Sequence, residues 1–332
     1  MAVTFTGTDR FPAVLAAAKA VAGGEIGTEH LLIGLASAAP TITHLLDAFD
    51  VTPTVLRAVL AAGTIRDGEA PDVEAVVLSP AVPLTGAANT ALIRCAAYHP
   101  GPSTPDQVLS ALLADTGSGA TAALRACGAD VGEIRRALFS SRQITREDRL
   151  PGELRPVRDK LIGRDRYRGR GLRDFLMSAV VRDRVNYAVA PVLWASLEAD
   201  DAARRRGGPT RTDDVLYAMV TTGLVAEAYP HLVGDATAQY EGTRELLADG
   251  LDRRRLAAVI AAETGADEVP LKSLLRAGPE WPRDTAHLLR LLDSHPGTRA
   301  ARVLRAFGAG VPLSAGSCLS AGPPRAGVDA CH

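Results

Sequence analysis

The chain has 332 residues, of which 47% are hydrophobic but only 4% aromatic, and 37 basic against 38 acidic side chains leave a formal net charge of −1. That length suits about two domains, and cores built from Ala, Leu and Val favour closely packed helices over a β-sandwich. The even charge balance gives no global attraction to nucleic acid or to an anionic membrane, and no apolar run reaches the roughly 18 residues that a membrane span needs.

Met1 to Arg10 is polar and lacks signal-peptide character, which leads to a cytoplasmic expectation. Phe5-Thr6 precedes an Ala-rich helix that begins at Phe11 or Pro12 and stops at Gly23-Gly24. Next comes Gly27-Thr28-Glu29-His30-Leu31-Leu32-Ile33-Gly34-Leu35, read as the start of a buried helix with Thr28 as N-cap and Glu29 as an acid in the first turn. A short amphipathic helix, Ile42 to Phe49, ends where Asp50 can take the left-handed cap conformation, and a further helix runs from Pro53 to Leu60. Thr64 to Pro83 reads as a connector.

The pattern then returns. Leu84-Thr85 is matched to Phe5-Thr6, and Ala87 to Tyr98 is a helix stopped by His99-Pro100-Gly101-Pro102. Pro105-Asp106-Gln107-Val108-Leu109 repeats the core-helix signature with Ser103 or Thr104 as cap, and Ala120 to Cys127 with Gly128 repeats the short helix. Third and fourth copies start at Thr212-Asp213-Asp214-Val215-Leu216 and Thr285-Ala286-His287-Leu288-Leu289. Leu31 to Val108 and Val215 to Leu288 are similar steps, whereas Val108 to Val215 is longer, so the copies group as two pairs. In the third copy the Leu246 to Asp252 motif falls late, which predicts an insertion near Ala226 to Glu241.

These residues resemble the Clp N-terminal repeat domain, the amino-terminal module of the AAA+ unfoldases ClpA, ClpB and especially ClpC. The resemblance is strong over 1–139 and weaker over 172–312. It implies an all-α fold of tandem Clp-N-like domains, each a pseudo-duplicated pair of four-helix repeats. The expected organisation is a first domain at 1–139, an Arg-rich linker at 140–171, a degenerate second domain at 172–312 and a disordered tail at 313–332. The resemblance further implies binding of substrates, adaptors and arginine-phosphorylated proteins, and of cyclic-peptide antibiotics. By position it assigns Thr28 and Glu29 to one ligand site and Thr104 and Asp106 to the other, with Phe5 and Leu84 as the apolar contacts.

The chemistry encoded beyond this is sparse. No G-x-x-x-x-G-K-[ST] loop is present, so ATP hydrolysis is not encoded, and HExxH, GxSxG and CxxC are also missing. The expectation is therefore a protein that is not an enzyme and needs no cofactor or metal. Cys95 and Cys127 are expected as core residues, and His30 and His287, which occupy equivalent positions, as structural ones. The leading expectation is a Clp-N-type binding protein, acting as adaptor or regulator of a Clp protease, or as a decoy that sequesters ClpC N-domain ligands. The alternative is a nucleic-acid-associated regulator that uses Arg164, Arg166, Arg168 and Arg170, clustered around Tyr167, as an anion-binding arm.

Overall fold

In the computed structural model, which describes residues 3–63, 65–68, 76–78, 81–140, 147–148, 150–167, 186–276 and 282–308, nearly all regular structure is helical. Helix α1 (Phe11–Ala22) turns Val14, Leu15 and Ala18 onto α2 (Thr28–Ala38), whose Leu31, Leu32, Ile33 and Leu35 are fully buried. Helices α3 (Pro40–Asp47) and α4 (Pro53–Ala61) complete the first repeat around α2. The second repeat is α5 (Gly86–Tyr98), α6 (Pro105–Leu113), α7 (Gly119–Ala126) and α8 (Val131–Leu138). Two short strands, β1 (Val3–Thr4) and β2 (Val76–Val77), pair in parallel beside them.

Side-chain caps fix where these helices begin, because each satisfies an N–H that the first turn leaves without a partner. Thr52, Thr85, Ser118 and Asp130 accept from the first turns of α4, α5, α7 and α8. Short bridges tie the repeats in two symmetric places. Ile26 N–H donates to the Pro83 carbonyl at 2.9 Å and Thr85 N–H to the Ile26 carbonyl at 3.1 Å. In the other place Ser103 N–H donates to the Thr6 carbonyl at 2.8 Å and Thr8 N–H to the Ser103 carbonyl at 3.1 Å. In this arrangement Leu84, bridged to Ile26, is the counterpart of Gly7, bridged to Ser103, rather than of Phe5, so the match of Leu84-Thr85 to Phe5-Thr6 is displaced by two residues.

Residues 150–162 of the segment read as an Arg-rich linker instead contribute to the core. Helix α9 (Arg155–Leu161) buries Val157 and Leu161, and Leu150, Leu154 and Ile162 join the hydrophobic cluster of the first half. That cluster extends into the second half through Trp194, Tyr229, Leu232 and Tyr240. The charges that suggested a linker are absorbed locally. Lys160 Nζ contacts both Glu198 oxygens at 3.0 Å and Asp201 at 2.8 Å, with all three side chains buried.

The second half opens, among the described residues, with a 3₁₀ turn at Tyr187–Val189 and α10 (Pro191–Arg206), packed on α11 (Thr212–Ala228). Then come α12 (Pro230–Val233), a 3₁₀ stretch at Gly234–Tyr240, α13 (Glu241–Ala248) and α14 (Arg253–Ala262). The end of α11, α12 and the 3₁₀ stretch lie where the sequence predicts an insertion. Helices α15 (Leu271–Arg276), α16 (Thr285–Asp293) and α17 (Arg299–Gly308) follow. A second cluster, with Leu216, Met219, Leu256, Leu288 and Leu292 at its centre, forms their core. The tail at 313–332 and the helix expected around Leu172 to Val181 lie outside the described residues.

Candidate functional site

Asp67, from the connector after α4, gathers the start of three helices. Its carboxylate accepts from Thr28 N–H at 2.8 Å, from the Thr28 hydroxyl, from the Thr85 hydroxyl at 2.6 Å and from Gly119 N–H at 2.9 Å. The Thr28 hydroxyl oxygen in turn accepts from Ala120 N–H at 3.0 Å. Thr28 is thus the first helical residue and a cross-link to α7, while Gly27 occupies the N-cap position.

Glu29 lies under this junction at 4% exposure, and its Oε2 has no hydrogen-bond partner. A Cβ added to Gly27 or Gly119 would overlap its carboxyl oxygens, so these two glycines make room for the side chain. Burial, with the negative Asp67 nearby, raises the Glu29 pKa to about 7, against a smaller opposing pull from its own backbone N–H and from Arg66. His30 Nδ1 accepts from Gly27 N–H at 3.0 Å and stands 3.1 Å from Glu29 Oε1. A nitrogen that accepts from an amide carries no proton and has its one lone pair in use, so a protonated Glu29 carboxyl is bonded to Asp67 rather than to His30. Burial lowers the His30 pKa, consistent with the proton residing on Glu29.

The second half holds a similar junction with several exchanged residues. Asp267 accepts from Thr212 N–H at 3.0 Å, the Thr212 hydroxyl at 2.6 Å and Arg299 N–H at 2.7 Å, and Ala300 N–H donates to Thr212 Oγ1 at 2.9 Å. Asp213 stands in the place of Glu29, and Arg299 in the place of Gly119. There the buried carboxylate has a cation: Arg299 Nε donates to Asp213 Oδ2 at 2.7 Å, with side-chain exposures of 5% and 1%. Burial still raises the Asp213 pKa, and the guanidinium works against that shift. The first half therefore holds a buried carboxyl without the arginine that its counterpart owns.

The other residues singled out in the sequence fare differently. Phe5 is 4% exposed and stacks on Phe11 with ring centroids 4.9 Å apart, so it is a core residue with no face to offer a ligand. Leu84 is half-buried at the bridge to Ile26. Thr104 is satisfied within its own helix start, its N–H donating to Gln107 Oε1 at 2.8 Å and its hydroxyl oxygen accepting from Gln107 N–H at 3.4 Å. Asp106 is exposed in the first turn of α6, whereas Glu29 is buried, so the two carboxylates form no matched pair of sites.

Of the four arginines of the arm, Arg164 is paired. Arg164 pairs with Asp47 at 2.7 Å, Asp50 at 2.8 Å and Asp159 at 3.3 Å. Arg166 is exposed, and Arg168 and Arg170 lie outside the described residues. Tyr167 points inward, its hydroxyl donating to Glu198 at 2.5 Å and accepting from Trp194 Nε1 at 3.0 Å.

Sequence reading missed Asp67, Asp267, Gly119 and Arg299. A signal was present: Asp67 follows Leu56 at the same spacing as Asp267 follows Leu256. Among the described residues no group of three or more His, Cys, Asp or Glu side chains could hold a metal ion, and no helix is long and apolar enough to cross a membrane. No protein-family model matches the chain, and no curated protein matches it.

Proposed function

We propose that the chain is a non-catalytic, Clp-N-type binding protein, built from two related halves, whose first half captures a partner protein through an arginine side chain at Glu29. The observation that carries this reading is the buried Glu29 carboxyl with no cation paired to it, where the second half pairs Asp213 with Arg299; one oxygen of each carboxyl, Glu29 Oε2 and Asp213 Oδ1, has no hydrogen-bond partner. A buried carboxylate lacking a cation is costly, and a guanidinium from outside would supply two or more charge-assisted hydrogen bonds in its place. The role that follows is recognition without a motor, as adaptor or regulator of a Clp protease, or as a decoy for ligands of a ClpC-type N-domain. Arginine-phosphorylated proteins belong to the same ligand chemistry.

The test is calorimetric titration of the full chain with a short arginine-containing peptide and its lysine counterpart. Glu29→Ala is expected to weaken arginine-peptide binding by roughly one to two decades, the usual cost of about 1.5 to 3 kcal/mol for losing a charged partner. Asp106→Ala, at an exposed position, is expected to leave it unchanged. Equal effects of the two variants, or ATP hydrolysis by the purified chain, would contradict the proposal.

A further inference from the structure

The stretch that lengthens the second half frames a cavity that is open on one side. Its volume is about 110 Å³, and its wall is drawn from the end of α11, from α12, from the 3₁₀ stretch and from α13. Ala226, Pro230, Val233 and the Tyr240 ring make that wall apolar. The first half has no counterpart to this stretch, because there α2 ends at Ala38 and α3 begins at Pro40. An apolar cavity of about 150 Å³ takes a benzene-sized guest, so this smaller one suits a branched aliphatic group of about four carbons.

The polar groups around the cavity are few. Tyr240 and Thr237 commit their hydroxyls within the protein, to the Ala188 carbonyl at 2.7 Å and the Gly234 carbonyl at 2.9 Å. Two charged side chains remain, and both are exposed. Glu227, in the last turn of α11, makes no ion pair with any described residue. Arg244, on α13, donates from Nη2 to the Thr237 carbonyl at 2.9 Å and has no carboxylate partner among the described residues. The rim thus carries a negative and a positive group that are not paired with each other. In the wall itself Thr243 is 1% exposed, and its hydroxyl has no hydrogen-bond partner. The unliganded chain therefore leaves a buried polar group unsatisfied beside the cavity.

We infer that this cavity is a binding site for a free aliphatic α-amino acid of leucine size. The isobutyl group fills the apolar space, the ammonium lies toward Glu227 and the carboxylate toward Arg244. A plain hydrocarbon would leave the charged rim unused, and a nucleotide needs a pocket several times larger. A peptide terminus carries one of the two charges and answers half of the rim. The site lies in the opposite half from Glu29 and needs nothing from that carboxyl.

Calorimetric titration of the full chain with leucine tests this, beside leucinamide, N-acetylleucine and glycine. Leucine is expected to bind one equivalent with a dissociation constant on the order of 1 mM, since one buried aliphatic group and two exposed ion pairs supply no more. Leucinamide and N-acetylleucine, each lacking one charge, are expected to bind roughly three- to fivefold more weakly, and glycine not measurably. Glu227→Gln is expected to weaken leucine by the same factor and to leave N-acetylleucine unchanged. Ala226→Leu fills the cavity from its own wall and is expected to abolish binding in a folded chain.

Absence of leucine binding well above that concentration overturns the inference, as does leucine binding that is unchanged in Glu227→Gln or in folded Ala226→Leu. Leucinamide that binds as tightly as leucine makes a peptide N-terminus the ligand, and N-acetylleucine that does so makes a C-terminus or a simple carboxylate the ligand. Either result overturns the free amino acid. If Ala226→Leu fails to fold, Glu227→Gln, at an exposed position, decides.

Discussion

Glu29 stores a pH dependence that can be read in the stability of the unliganded chain. Its folded pKa of about 7 is raised above the unfolded value, so its stabilising contribution is complete below about pH 4.5 and is lost as pH rises through 7. The charged groups around it, Asp67 and Arg66 from the connector and His30 from α2, act on the same carboxyl. Glu29→Gln keeps the shape and removes the titration, so urea unfolding of this variant is expected to lose the decline between pH 5 and pH 8, and to gain roughly 2 kcal/mol over wild type at pH 8. Asp50 makes a second residue-scale case. It adopts φ 59° where the equivalent Gly128 has φ 72°, and its carboxylate accepts from the Tyr229 hydroxyl at 2.7 Å and pairs with Arg164 at 2.8 Å. Asp50→Gly relieves the backbone but removes those bonds, and a net loss of about 1 to 3 kcal/mol is expected in chemical denaturation. The left-handed cap at Asp50 was legible in the sequence because Gly128 and Asp50 align. The fate of Phe5 was not, since an aromatic beside a helix start reads the same whether it faces a ligand or, as here, Phe11.

At the scale of the element, α9 explains why composition misleads. A run of basic residues with prolines and glycines reads as solvated linker when charges are counted without partners. In the fold several of the described ones have partners: Arg158 reaches Asp148 and Asp159 at 2.9 Å, and Lys160 reaches Glu198 and Asp201. Removing one member of such a buried set leaves charges without compensation, so Lys160→Met is expected to cost about 3 to 5 kcal/mol, whereas Lys160→Met/Glu198→Met recovers part of that loss. Additive costs in the double variant would show that the two side chains do not act as a pair. The core helices α2, α6, α11 and α16 were legible by contrast, because apolar spacing marks each one locally, and at α6 the predicted cap Thr104 is also in place. What marks α9 as structured is its partners in α10 and α11, and these are distant in sequence.

For the whole molecule, the two hydrophobic clusters do not coincide with a cut after residue 139. The first draws on Leu154, Val157 and Ile162 from the connecting segment and on Tyr229 and Leu232 from the second half, and Leu224 packs against both clusters. A 1–139 fragment is therefore expected to unfold at lower urea concentration than the full chain, and Leu32→Ala, at a fully buried position, to cost the full chain roughly 2 to 5 kcal/mol. The helical character was legible in the apolar spacing, but the dependence of one half on the other was not, because it rests on contacts distant in sequence such as Tyr229 to Asp50. The central claim is that Glu29 is a carboxyl waiting for an arginine. The most direct measurement is the affinity of the full chain for N-acetylarginine amide at pH 6 and pH 8, in wild type and Glu29→Gln. With a free-state pKa near 7, binding to the ionised carboxylate should be about tenfold tighter at pH 8, and Glu29→Gln should remove both the affinity and its pH dependence. Binding that is equally tight at both pH values, or that survives in Glu29→Gln, would contradict the account.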